Sequence, residues 1–264
     1  MLFPERRVSA ALVVGHPGHE LRLFHWLETT RPLVFVLTDG SGSGRSRIAA
    51  TTRILSATAS TASSLMGVFT DQEIYRAMLH CDVTRIAEVT LQIARELAEH
   101  GVTLVVADKF EFYNPTHDLC AVIANIATAH ASDLIGRPIA RYDYAVIDAP
   151  PADGHVLELD DAAAERKLAA AYAIEELKPE VDELLANIGI AGIRREVLRP
   201  LANGIDVPRP ATKALYETYG EQRVASGRYE TVLRYEEHFL PFAQKLIAEV
   251  GVVTQSSALH VWSS

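Results

Sequence analysis

The sequence predicts an α/β fold: a Rossmann-like three-layer sandwich built on a mostly parallel sheet, with a hairpin and a helical C-terminal region added. Three observations carry that prediction. Short β-branched runs alternate with longer helical patterns through the first half, the signature of parallel strands joined by crossover helices. Three polar clusters fall at strand ends, the edge where open parallel sheets bind ligands. A chain of 264 residues, 48% hydrophobic and 22% charged, has ample length for one sizeable core.

The elements follow in order. Ala10–Val14 reads as the first strand, and a helix follows from about His19 to Thr29. A second strand, Leu33–Leu37, runs into Thr38-Asp39-Gly40-Ser41-Gly42-Ser43-Gly44, after which a small-residue helix covers Arg47 to Ser60. Val83, Ile86, Thr90, Ile93 and Leu97 repeat at helical spacing, with Asp82 as N-cap and Gly101 closing the helix after His100. A third strand, Val102–Ala107, follows at once. Asn114-Pro115 then reads as an N-cap and first helical residue, opening a helix through Leu119, Val122, Ile123 and Ile126 to about Gly136. Tyr142, Tyr144 and Val146 alternate, Pro150 to Gly154 turns the chain, and His155–Leu159 alternates again, which predicts a hairpin on or beside the main sheet. The division expected is an α/β domain over residues 1–200 and a C-terminal extension, residues 201–264, packed on it.

Charge and cysteine content exclude several classes. The formal charge of −9, from 25 basic and 34 acidic residues, lacks the basic footprint of a nucleic-acid binder. Nine acids against three bases between Glu158 and Glu183 supply −6 of it, the pattern of a solvated helix face. Cys81 and Cys120 are the only cysteines, too few for a Cys-rich zinc module or a disulfide scaffold, and they fit a reducing, cytoplasmic setting. The start, Met1 to Arg7, is basic, but the apolar run after it is too short for a signal peptide. No apolar stretch is expected to reach the roughly 20 residues that span a bilayer.

Ten His residues are the unusual feature. His16 and His19 lie three apart across a tight turn at the end of the first strand, and His117 falls in the first turn of its helix at the same sheet edge. Three neutral imidazoles suit a divalent transition metal, commonly Zn2+, with a further position left for water as in a catalytic site. His25, His80, His100 and His130 occupy helical patterns or helix ends, and His155 opens a strand.

His16-Pro17-Gly18-His19-Glu20, directly after a hydrophobic strand, resembles the His-Pro-Asp-Asp-Glu signature of the PIG-L/LmbE-like metal-dependent N-deacetylases. Thr38-Asp39-Gly40-Ser41 sits where that family carries Thr-x-Gly-Glu, and Asn114-Pro115-Thr116-His117 is similar to its His-Pro-Asp-His segment. Lys167-Leu-Ala-Ala-Ala-Tyr172 is similar to a helix that commonly follows, so the resemblance covers about residues 9 to 175. It implies that residues 1–200 form the catalytic domain of a zinc-dependent hydrolase removing an N-acyl, chiefly N-acetyl, group from an amino sugar or sugar conjugate. It also implies that His16 and His117 ligate the metal, with His19 in the place of a ligand Asp.

Gly18 stands where the family keeps its general-base Asp, and glycine carries no proton. Asp39 is the first replacement and Glu20 the second, with Asp118, Glu111 and His238 as further candidates. Asn114 replaces a His that the family uses at the oxyanion; it serves as a hydrogen-bond donor there or simply as the N-cap before Pro115. Ser41, Arg45 and Arg47 in the Gly-rich loop, together with His238, are the candidate substrate-binding residues. Two other readings stay open. One is a non-catalytic descendant that binds without hydrolysing. The other is a metal-free nucleotide-binding enzyme using Gly40-x-Gly42-x-Gly44, which matches neither Gly-x-Gly-x-x-Gly nor a P-loop.

Overall fold

The two most apolar runs lie side by side in the middle of the sheet, with every residue of Ala10–Val14 and of Leu33–Thr38 buried. The computed structural model describes residues 9–202 and 204–251. The basic start, Met1 to Arg7, and residues 252–264 of the expected C-terminal extension lie outside the described residues.

In chain order the first half runs β1 (Ala10–Val14), a 3-10 turn (His19–Leu23), α1 (Phe24–Thr30), β2 (Leu33–Thr38), α2 (Ile48–Thr58), β3 (Thr61–Phe69), α3 (Asp71–Leu79), α4 (Thr84–Glu99) and β4 (Leu104–Asp108). The second half runs α5 (Pro115–Ile135), β5 (Ala140–Tyr144), β6 (His155–Glu158), α6 (Asp161–Tyr172), α7 (Lys178–Ile193), β7 (Arg195–Pro200), α8 (Leu215–Ala225) and α9 (Leu240–Val250). The seven strands form one sheet in the order β3-β2-β1-β4-β5-β7-β6. The first five are parallel, and β7 runs antiparallel to both β5 and β6.

Alternate side chains of the central strands face opposite layers, as the two-residue period of a strand requires. Ala11, Val13, Phe35 and Leu37 join the core formed with α3, α4, α5 and α9, whereas Leu12, Val14, Val34 and Val36 join the core under α1, α2, α6 and α7. The α/β sandwich expected from the alternating pattern is therefore present. Beyond residue 204, Tyr216, Tyr235, Phe239 and Phe242 are buried in the same core as α4 and α5. Helix α5, with 21 residues and an 18-residue window of mean hydropathy 1.2, is long and apolar enough to cross a membrane, contrary to the expectation that no stretch would be. Fourteen of its residues are buried against the sheet and neighbouring helices, which marks it as the core helix.

Two further readings need correction. The stretch between the second strand and the long helix holds β3 and α3. Thr61, Ala62 and Ser64 of β3 are exposed, and its register against β2 shifts twice, so it lacks the continuous apolar run of a central strand. The predicted hairpin is also absent: β5 and β6 do not pair, because β7 lies between them. Tyr142 pairs with Pro200 on one side of β7, and Val156 pairs with Val197 on the other. Alternation marks a strand with one exposed face but does not name its partner, and the crossover through α5 instead lays β5 parallel to β4.

One buried ion pair fastens the site-bearing turn to this frame. Glu196 on β7 accepts the backbone N–H groups of His25 (3.0 Å) and Trp26 (2.8 Å) in the first turn of α1. Lys167 on α6 donates to Glu196 at 2.8 Å and to the carbonyl oxygen of Arg22 at 2.7 Å. Burial lowers the Lys167 pKa even with that carboxylate beside it. A buried pair with every partner in place fixes geometry more than it adds stability.

Candidate functional site

The loops leaving β1 and β4 bring His16, His19 and His117 together. Their ring centroids are 5.2 Å (His16–His19), 5.2 Å (His16–His117) and 4.3 Å (His19–His117) apart, all in edge-on arrangements. The sequence sets this locally. Gly15 follows β1 and donates its N–H to Asp108 Oδ2 at 2.8 Å, an approach so close that a Cβ on Gly15 would stand 3.1 Å from the same oxygen. Gly18 then turns the chain with φ 104°, a left-handed conformation natural to glycine. On the other side, Asn114 Oδ1 accepts the Thr116 N–H at 2.8 Å as N-cap, with Pro115 following, which sets His117 in the first turn of α5.

Hydrogen bonds fix which imidazole nitrogens point inward. Asp108 is fully buried and accepts from Gly15 N–H, from the Tyr144 hydroxyl at 2.8 Å and from His19 Nδ1 at 2.7 Å. A carboxylate only accepts, so the His19 proton sits on Nδ1. Thr38 Oγ1 donates to the Gly15 carbonyl at 3.1 Å and accordingly accepts from His16 Nδ1 at 2.7 Å. Asp71 Oδ1 lies 3.1 Å from the same nitrogen, while its Oδ2 accepts the Gly42 N–H at 2.5 Å. Carboxylates backing imidazoles in this way orient metal-ligating His side chains and fix their tautomers.

Electrostatics keep the cluster mostly neutral. Burial lowers the His16 pKa despite Asp71, and burial with the neighbouring His19 and His16 takes His117 well below the usual value. Burial also pulls on His19, but Asp108 and Glu20 outweigh it and leave that pKa raised. Asp71 is desolvated too, yet hydrogen bonding and charge from His16 hold it down at about 2.

Two nitrogens of the cluster are left without a partner, as metal ligands would be. His16 Nε2 and His117 Nδ1 are buried atoms with no hydrogen-bond partner, a costly state for a polar nitrogen in a protein interior. Three imidazoles sharing one ion at about 2.0–2.1 Å per nitrogen would have ring centroids about 5 Å apart, close to the observed spacing. As they stand, no three His, Cys, Asp or Glu donors among the described residues are gathered into a metal-binding group.

The cluster opens into a cavity of about 240 Å³ whose walls include Arg22, Arg47, Tyr113, Asn114, Lys167 and Glu180. Other expected site residues stand elsewhere. Asp39 does not line the cavity: its Oδ1 accepts the Ser41 N–H at 3.0 Å, and its carbonyl accepts the Arg47 N–H at 2.7 Å. Glu20 is fully buried, accepts the Gly18 N–H at 2.8 Å and has its pKa raised by burial, so it braces the turn instead of facing the cavity. Ser41 and Arg45 lie off the cavity, and His238 Nδ1 accepts the Arg234 N–H at 3.0 Å at the start of a π-helical turn. Glu111 accepts the N–H groups of Val146, Ile147 and Asp148, and Asp118 accepts those of Glu111 and Phe112. Burial raises Asp118 to about 7.

The Gly-rich loop does not offer a phosphate cradle. The N–H groups of Ser41, Gly42 and Gly44 go to Asp39, Asp71 and the Ser41 carbonyl, and Arg47 is held by Gly40 and by both Glu180 oxygens at 3.0 Å. Beside Gly18, the space for a longer side chain is filled. A Cβ there would stand 2.9 Å from Leu177 Cδ1.

Sequence reasoning missed Asp71. Its signal was Thr70-Asp71-Gln72-Glu73, a capping box in which Thr70 Oγ1 accepts the Glu73 N–H at 3.2 Å and Glu73 answers the Thr70 N–H at 2.7 Å. A helix start of that kind after an unread strand puts an acid at the same sheet edge as the imidazoles.

No family model and no curated protein matches the chain. Solved structures do. The antimicrobial reagent A40926 pseudoaglycone deacetylase is 20% identical, over 75% of this chain and 98% of its own, with a TM-score of 0.47. The conserved protein TT1542 from Thermus thermophilus is 15% identical over 78% and 100% of the two chains, at 0.49. The zinc-inhibited form of teicoplanin deacetylase is 12% identical over 75% and 99%, at 0.46. At such scores the likenesses decide nothing about the site, whose chemistry is carried by the residues above.

Proposed function

We propose that the chain is a zinc-dependent hydrolase that cleaves an N-acyl amide of an amino sugar or related small molecule. The observation that carries this reading is the convergence of His16, His19 and His117, with two orphaned nitrogens and with Asp71 and Asp108 behind the rings. When bound, a zinc ion supplies Lewis acidity, lowering the pKa of water and drawing charge from a carbonyl. His16, His19 and His117 would hold it. Asp108 and Asp71 keep two of those rings in the tautomer that leaves Nε2 free.

Asn114 lines the cavity with its Oδ1 engaged by the helix N-cap, so its Nδ2 is the group left to donate to the amide carbonyl oxygen. Glu180 is the one carboxylate among the described residues lining the cavity, and it carries the proton to the departing nitrogen. Arg47 pairs with it from across the rim.

Elemental analysis of purified protein tests the reading, with about one zinc per chain expected in wild type and none in His16→Ala or His117→Ala. Glu180→Gln is expected to keep the metal and lower amine release about 100-fold. Protein that holds no divalent metal in any preparation sinks the proposal.

A second reading is supported by Leu177, whose methyl groups occupy the place beside Gly18 where the resembled family has its base. In that reading the same pocket binds its ligand without hydrolysing it. Metal retained with no amine released from any N-acyl substrate would favour it.

A further inference from the structure

The cavity beside the imidazole cluster has two chemically different sides. The strand-end loops contribute the polar one, with Arg22, Arg47, Tyr113 and Asn114 around the His residues. The other is aliphatic and comes from two helices: Leu168 and Ala171 on α6, Leu177 just before α7, and Val181, Leu184 and Ile193 on α7. Leu177, Val181 and Leu184 are spaced four and three apart, so they form a single stripe along one helical face. Leu177 and Val181 are anchored in the core shared with α1 and α2, so the wall is fixed at its base, and Arg47 bridges to Glu180 at the rim.

An acetyl group carries one methyl and needs no such wall. An apolar cavity of about 150 Å³ accepts a benzene-sized molecule, and this one measures about 240 Å³. A ligand with a polar amine half and a longer aliphatic half matches both sides at once, with the amide between them at the His cluster. We propose that the pocket recognises amides whose acyl chain is longer than acetyl, and that Leu168, Val181 and Leu184 set the accepted chain length. This inference rests on the acyl-amide reading of the site for the identity of the polar half, and it holds whether or not the bound amide is cleaved.

The test is calorimetric titration of the full-length protein with N-acetyl-, N-butyryl-, N-hexanoyl- and N-octanoyl-glucosamine. Affinity is expected to rise about fourfold per added methylene through hexanoyl. Leu184→Trp and, on the other helix, Leu168→Trp are each expected to abolish the gain in affinity from N-acetyl to N-hexanoyl. Using variants on two helices guards against a failure of either one to fold, which circular dichroism reads directly. Equal affinities along the series, or binding of none of its members, overturn the proposal. Amine release on the same series separates the two ideas. Graded binding with no release removes the hydrolase and keeps the chain-length pocket, whereas release from N-acetylglucosamine with flat binding does the reverse.

Discussion

Asp108 and Asp71 do the same work for different imidazoles, yet they come from opposite kinds of sequence. Asp108 ends β4, a central strand buried between β1 and β5, and its two oxygens hold Gly15, Tyr144 and His19. Asp71 opens α3 after the edge strand β3, with a side chain 16% exposed that meets His16, Thr38 and the Gly42 N–H. The central carboxylate is part of the fold and of the site. The edge carboxylate belongs to the site alone.

That contrast is open to measurement. Asp108→Ala leaves a buried hydroxyl, a backbone N–H and an imidazole without their acceptor, and is expected to lower unfolding free energy by about 3–5 kcal/mol. Asp71→Ala is expected to lower it by only about 1 kcal/mol while weakening metal affinity about 10- to 100-fold. Urea unfolding and competitive metal titration of the two variants provide the comparison, and equal stability losses would abolish the distinction.

A middle-sized effect concerns the place where the resembled family keeps its base. Gly18→Asp must adopt φ 104° and push against Leu177, so it is expected to lower stability by about 2 kcal/mol. Adding Leu177→Ala should recover the steric part of that loss. If Gly18→Asp alone is as stable as wild type in urea, the leucine is not filling the space.

The smallest effect lies outside both regions. The hydrogen bond from Arg166, with burial opposing, holds the Glu28 pKa below its usual 4.5. The contribution is therefore complete above about 4.5 and fades as pH falls through the lower folded value. Glu28→Gln is expected to move the urea midpoint slightly at pH 7 and by less as pH falls below 4.5. An equal shift across that range would assign the effect to packing.

Sequence legibility followed the same division. β1, β2 and β4 were readable because strands buried on both faces are continuous apolar runs, and the helix from Asn114-Pro115 to Gly136 was readable from its caps. Those elements carry His16, His19 and His117, so the convergence of the imidazoles followed from topology. The exposed residues of β3 hid it, and with it went Asp71. The antiparallel β7 was equally hidden, because nothing in alternating residues distinguishes a strand that enters between two others from one that folds back in a hairpin. Asp39 was placed by the sheet edge it shares with the imidazoles and Ser41 and Arg45 by their loop, and none of the three lines the cavity.

The clasp formed by Glu196 has a consequence for how the protein is made. The amide groups it caps belong to His25 and Trp26, while the carboxylate arrives 170 residues later in the chain. A nascent polypeptide that has already emitted His25 and Trp26 still lacks the carboxylate that caps them. The start of α1 is consequently capped only when β7 docks, a contact of long sequence separation.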